Sequence, residues 1–250
     1  MGGSGTPRRP QTTRADRVVH RRLLEGMGFE LIPLKNIADQ AAHLPAGATV
    51  SVTCSPAGTI DDTLDLCATF TAAGHVTVPH LAARMVDGED HVDRIVARLT
   101  AQGIRRVFVI GGDAEQRGPF ADAAGFLRSF LDRRPPVDTV GVGAYPDGHP
   151  SIPDGVLVEA LAEKQAMITG AGLEGYLATQ MCFDPGTIAD WLAARRAAGI
   201  TLPCYLGVPG AVDPARLLSI SLRLGVGVSA RYLKKNRLAV LRLLSPRRYD

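Results

Sequence analysis

The stretch Asp138-Thr139-Val140-Gly141-Val142-Gly143-Ala144-Tyr145-Pro146-Asp147-Gly148-His149-Pro150 decides the fold when read together with residues 151–184. A helical pattern runs over 154–169, and the chain then extends again as Tyr176-Leu177-Ala178-Thr179-Gln180 before reaching Asp184. The order is strand, helix, strand, with polar residues at the carboxyl end of each strand. Two parallel strands need such a crossover between them. In a closed ring of such units, the carboxyl ends of the strands gather the functional groups.

Working outward, the same unit recurs. Strands are expected at 28–33, 48–54, 75–80, 106–110, 140–144, 176–180 and 202–208. The run Arg106-Val107-Phe108-Val109-Ile110 is nearly all apolar, as a strand covered on both faces should be. Helices are expected between the strands, over 59–71, 89–102, 120–131 and 185–198, and after them over 214–224 and 230–244. Thr59 is placed to cap the first of these, with Asp61 and Asp62 in its first turn. Alternation of this kind predicts an α/β fold, a TIM-type (β/α)8 barrel whose eighth strand is not evident after Arg231. Residues 1–17, rich in Gly, Pro, Thr and Arg, read as a disordered tail. Residues 18–250 read as one barrel domain.

Composition narrows the classes. The 250 residues carry a net charge of +3 and are 46% hydrophobic, enough for a sizeable core and too nearly neutral for a nucleic-acid partner. Basic residues cluster at both ends, as in Arg8, Arg9 and Arg14 or Lys234, Lys235 and Arg237, which reads as solvated surface. The four cysteines show no C-x-x-C spacing, so reduced thiols in a cytoplasmic protein are expected. No apolar run reaches the roughly 18 residues of a membrane span, and no membrane partner is expected.

The strand ends carry Glu30, Thr53, His80, Asp113, Tyr145, His149, Gln180 and Asp184. Each alone has a bland reading: a capping aspartate, a structural histidine, an exposed edge glutamate. Together they describe one rim. There is no phosphate loop, no H-E-x-x-H, no G-x-S-x-G and no set of metal ligands. Acid–base or redox chemistry on a bound small molecule remains.

Several pieces, in order, resemble the methylenetetrahydrofolate reductases: Phe29-Glu30-x-x-Pro33, Ser51-Val52-Thr53, Pro79-His80-Leu81, Gly112-Asp113, Ala144-Tyr145-Pro146-x-x-His149-Pro150 and Thr179-Gln180-x-x-Phe183-Asp184. The resemblance implies reduction of 5,10-methylenetetrahydrofolate to 5-methyltetrahydrofolate by NADH or NADPH, in one-carbon metabolism and methionine biosynthesis. It implies Glu30 as the general acid that opens the folate ring to an iminium. Asp113 would stabilise that cation beside the hydride donor. Gln180 would hold the pterin, with Thr53 also on the substrate side. Thr53, His80, Gly112, Tyr145, His149 and Lys164 match positions that surround FAD.

Cys54-Ser55-Pro56 and Gly111 depart from the family's usual residues, as do Ala114 to Arg117 and the longer spacing from Lys164 to Gln180. All fall on the flavin side, so the resemblance leaves FAD or NAD(P)H alone as alternatives. The other readings are a non-catalytic barrel relative that binds folate or a partner protein, including a second copy, and, ranked last, a sugar-phosphate barrel enzyme.

Overall fold

The computed structural model describes residues 13–55, 57–182, 184–208 and 210. The helices expected over 214–224 and 230–244 lie outside them, as do residues 1–12, Pro56, Phe183 and Pro209.

Seven parallel strands stand side by side in chain order: β1 (Gly28–Leu31), β2 (Thr49–Val52), β3 (Val76–Ala82), β4 (Arg106–Ile110), β5 (Thr139–Ala144), β6 (Glu174–Thr179) and β7 (Cys204–Tyr205). Each neighbouring pair is parallel. The sheet curls into a TIM-like half-barrel, and β1 and β7 are its two edges among the described residues. The expected fold class holds.

The crossover helices are α3 (Ile60–Ala72), α4 (Glu89–Ala101), α5 (Ala123–Asp132), α6 (Asp154–Gly170) and α7 (Pro185–Ala197). Thr59 caps α3 as expected, in a capping box with Asp62. A single apolar core lies between helices and sheet. Val50, Val52, Leu81, Val107, Val109, Val140, Val142 and Leu177 meet Ile60, Leu64, Ile95, Leu99, Phe126, Phe130 and Ile168 there. Alternation along each strand sends the residues between these valines and leucines to the other, concave face.

Three expectations are corrected, and one element is added. A helix, α1 (Arg14–Glu25), begins inside the stretch expected to be a tail, because Thr13 and Asp16 form a capping box. A short helix, α2 (Ile37–Ala41), lies between β1 and β2, in a stretch to which no element was assigned. The third strand continues past His80 to Ala82. Its first half, up to Pro79, pairs with β2, and its second half, from His80, pairs with β4. Pro79 has no N–H to offer, and the exchange of partners happens at that residue. The seventh strand is only Cys204–Tyr205, not 202–208. Pro203 again lacks a donor, and Gly207 is packed so close to the Thr179 carbonyl that a Cβ would overlap it.

Candidate active site

The concave face is built in two levels. The lower level begins at Glu30, whose register partner is Ser51. Ser51 Oγ and His80 Nε2 are 2.8 Å apart in a hydrogen bond, and His80 Nε2 is 3.7 Å from a Glu30 carboxylate oxygen. The His80 ring lies 4.6 Å from that of Phe108, Phe108 lies 6.0 Å from Tyr176, and Tyr176 meets Tyr205 edge-on at 5.4 Å. Six of the seven strands thus give one side chain each. The exception is β5, where Gly141 stands between Phe108 and Tyr176 in the register. A Cβ on Gly141 would overlap both rings. The missing side chain is the space that the aromatic pair fills.

Burial sets the protonation of this level. His80 is 5% exposed, and burial pushes its pKa down to about 3, so the ring is neutral. Burial pushes the Tyr176 phenol up to about 12, and the Glu30 charge adds to the rise. The Glu30 carboxyl is raised above its ordinary range by loss of water around it. Its side chain nevertheless keeps 61% of its surface open. Water reaches the carboxylate from the open side of the sheet, while the wall on its other side thins its hydration. The exposed surface lets water screen part of that effect.

The upper level forms the rim. The loop after β4 is tied to the 3-10 turn Ala83–Met85: Arg84 N–H donates to Gly111 O at 3.0 Å, and Arg117 N–H donates to Arg84 O at 2.8 Å. Gly112 has φ +86°, and a Cβ there would sit 3.0 Å from that of Ala82. Glycine is therefore required, and it delivers Asp113 to the rim. Asp113 is near enough to Tyr145 to add to the rise in its pKa, of which burial is the larger cause. The Tyr145 ring folds back over Gly143 and meets His149 edge-on at 5.1 Å.

The remaining candidates are placed differently. Thr53 Oγ1 donates to Leu31 O at 3.4 Å, which ties the ends of β1 and β2. Gln180 follows β6, with its side-chain oxygen accepting from Met181 N at 2.9 Å. Asp184 caps α7 by accepting from Gly186 N at 2.9 Å. Lys164 lies in the helix layer. Burial lowers its pKa, and the charges opposing that shift are Asp122, which caps α5, and Glu163. The structure therefore brings together Glu30 with His80, and Asp113 with Tyr145, which meets His149, while Lys164 stands on α6 near Asp122 and Glu163. Among the described residues no cluster of His, Cys, Asp or Glu is arranged to hold a metal ion. The four cysteines are free, Cys67 and Cys182 buried and Cys54 and Cys204 half-buried.

Residues 33–211 match the family described as methylenetetrahydrofolate reductase, which is most of the chain. The chain belongs to the methylenetetrahydrofolate reductase family. Glu30 lies three residues before that span (33 − 30), whereas Thr53, His80, Asp113, Tyr145, His149, Lys164 and Gln180 lie inside it. Methylenetetrahydrofolate reductase 1 of Schizosaccharomyces pombe is 23% identical over 141 residues. That alignment takes in 54% of this chain and 22% of the yeast protein, so the chain spans about a fifth of that relative. Among solved structures, a putative phosphonomutase from Burkholderia cenocepacia J2315 superposes with a TM-score of 0.47 at 17% identity, covering 77% of this chain and 83% of the other. A putative lyase/mutase from the same organism gives 0.48 at 19% identity, covering 89% and 84%. Such scores carry no argument about chemistry.

Ser51, Phe108, Gly141, Tyr176 and Tyr205 have no role that the sequence alone assigns. Period-two alternation would place Ser51 opposite Val50 and Val52. The register that sets it beside Glu30 and below His80 has no local signal.

Proposed function

We propose that this protein reduces 5,10-methylenetetrahydrofolate to 5-methyltetrahydrofolate with NADH or NADPH, and that Glu30 is the general acid. The observation that carries the reading is a carboxyl of raised pKa on the concave face of a sheet from this family. A carboxyl held in that state keeps a proton closer to neutral pH than a solvated one. Glu30 gives that proton to the folate nitrogen that leaves when the five-membered ring opens. The nicotinamide hydride then reduces the iminium carbon to the methyl group, and NAD(P)H leaves oxidised. Asp113 at the rim offers its carboxylate to the cation, and Gln180 is the candidate partner for the pterin.

Support for FAD is divided. Gly112, Tyr145 and His149 share the rim. His80 is committed to Ser51 and Phe108 beneath it, and Lys164 lies in the helix layer. Thr53 ties the ends of β1 and β2, so the six are divided between the rim, the face beneath it and the helix layer, and the hydride is proposed to pass directly from NAD(P)H. The test is an anaerobic incubation of purified protein with NADH or NADPH and methylenetetrahydrofolate, with the absorption spectrum taken first. The reading expects 5-methyltetrahydrofolate from a protein without the visible bands of oxidised flavin. Bound flavin in stoichiometric amount corrects the cofactor assignment, and absence of product removes the proposed activity.

A second reading is favoured by α1, which has no buried residue and leaves Val18, Val19, Leu23 and Leu24 exposed. A binding relative that docks another protein, or another copy of itself, would cover them. Sedimentation of the purified protein tests it, since a turnover-competent monomer is incompatible with that reading.

A further inference from the structure

The contact between Ser51, His80 and Glu30 goes beyond a substrate or cofactor role for the histidine. His80 cannot reach out of the concave face while it is hydrogen-bonded to Ser51 at 2.8 Å and packed at a tilt against the Phe108 ring. What it does reach is Glu30, at 3.7 Å. The Ser51 hydroxyl has a second neighbour, Val78 O at 3.3 Å, to which it can donate. With the serine proton on Val78, the serine oxygen accepts from the imidazole, and the ring carries its proton on Nε2. A neutral imidazole has one such proton, so Ser51 and the Glu30 carboxylate compete for it.

We propose that Ser51 and His80 are positioning residues for Glu30: Ser51 draws the Nε2–H of a neutral His80 towards itself and so withholds a strong hydrogen bond from the ionised carboxylate. A donor aimed fully at the carboxylate would favour its ionised form and weaken it as an acid. The shorter contact to Ser51 prevents that. The other groups around Glu30 leave the competition intact. Tyr176 on β6 faces it with a phenol that stays protonated, and Arg106 and Tyr205 act on Tyr176. The proposal rests on Glu30 being the acid, and its test is chosen to be independent of turnover.

The test is a carboxyl ¹³C NMR titration of Glu30, assigned with Glu30→Gln, in the wild type, Ser51→Ala, His80→Phe and the double variant. Ser51→Ala leaves Nε2–H only the carboxylate, so the Glu30 pKa falls. His80→Phe keeps a ring against Phe108 and removes the donor, so the pKa rises. Adding Ser51→Ala to His80→Phe changes nothing further, because Ser51 acts through His80. Shifts of the same sign in the two single variants, additive shifts in the double variant, or none overturn the proposal.

Should His80→Phe not fold, ¹⁵N NMR of His80 in the wild type decides. A proton on Nε2 is expected, and a proton on Nδ1 overturns the proposal. In the pH profile of kcat/KM, each unit by which Ser51→Ala lowers the pKa costs about tenfold in rate above it, with KM unchanged. If the titrations behave as stated and the wild type makes no 5-methyltetrahydrofolate, the positioning stands and the proposed activity falls. If product forms and the titrations do not move, only the positioning falls.

Discussion

The two faces of the sheet differ in what their side chains do. On the convex face, valines and leucines from β2 to β6 are sealed beneath helices, with Val50, Val107, Val140 and Leu177 all at 0% exposure. Their partners are other hydrocarbons, and any residue of similar volume would serve nearly as well. On the concave face the seven strands present a carboxyl, a hydroxyl, an imidazole, three aromatic rings and, at Gly141, no side chain. There the residues are matched to particular neighbours by hydrogen bond, charge or ring contact. Stability resides on one face and chemistry on the other, although adjacent residues of a single strand supply both.

If that division is right, substitutions on the two faces should separate in what they disturb. The largest stability loss should come from the convex side. Phe126→Ala removes a fully buried ring stacked near Phe130, and should cost about 3–5 kcal/mol in chemical denaturation. The Glu30 titration should be unmoved in the protein that remains folded. A comparable shift in Glu30 would break the separation.

Gly141→Ala should cost less, about 1–3 kcal/mol, as an overpacking change. Unlike Phe126→Ala it should disturb the site, because the new Cβ displaces Phe108 and Tyr176. Near-UV absorption of the tyrosines, read beside the melt, checks this.

A different kind of effect is a pH dependence. The folded pKa of His80, about 3, is below that of an unfolded histidine near 6.5, so protons bind the unfolded chain better. Stability contributed by neutral His80 is present above about pH 6.5 and is lost as pH falls towards 3. His80→Phe should flatten that part of the melting curve against pH. An unchanged acid limb would mean that the imidazole is not buried as described.

The smallest effect belongs to the helix surface. Arg98 bridges Asp61 at 2.9 Å and also Asp65, and Arg98→Ala should cost about 1 kcal/mol or less in the same denaturation experiment.

The convex face was legible in the sequence and the concave one only in part. Arg106-Val107-Phe108-Val109-Ile110 marks β4 to the residue, because an apolar run bounded by a charge and two glycines has few other uses. The strand order follows from the alternation of elements. Pro79 and Pro203 spoiled the ends of β3 and β7, since proline alters pairing without changing the hydropathy pattern. The start of α1 was missed because its capping pair, Thr13 and Asp16, precedes a helix that buries nothing and so carries no core signal. At the site, Glu30 and Asp113 stood out as carboxyls at strand ends. Ser51 and Tyr176 did not, because their meaning depends on register across strands far apart in sequence.

The most direct measurement is steady-state folate reduction by Glu30→Gln beside a thermal melt taken across pH. Glu30 has a raised pKa, so ionising it weakens the folded state as pH rises through that pKa. The Gln variant should melt like the wild type at acid pH, and at or above it at higher pH, within about 0.5 kcal/mol. Its rate of folate reduction should fall by about 10²- to 10⁴-fold. A normally folded Glu30→Gln protein that reduces methylenetetrahydrofolate at the wild-type rate would contradict the account.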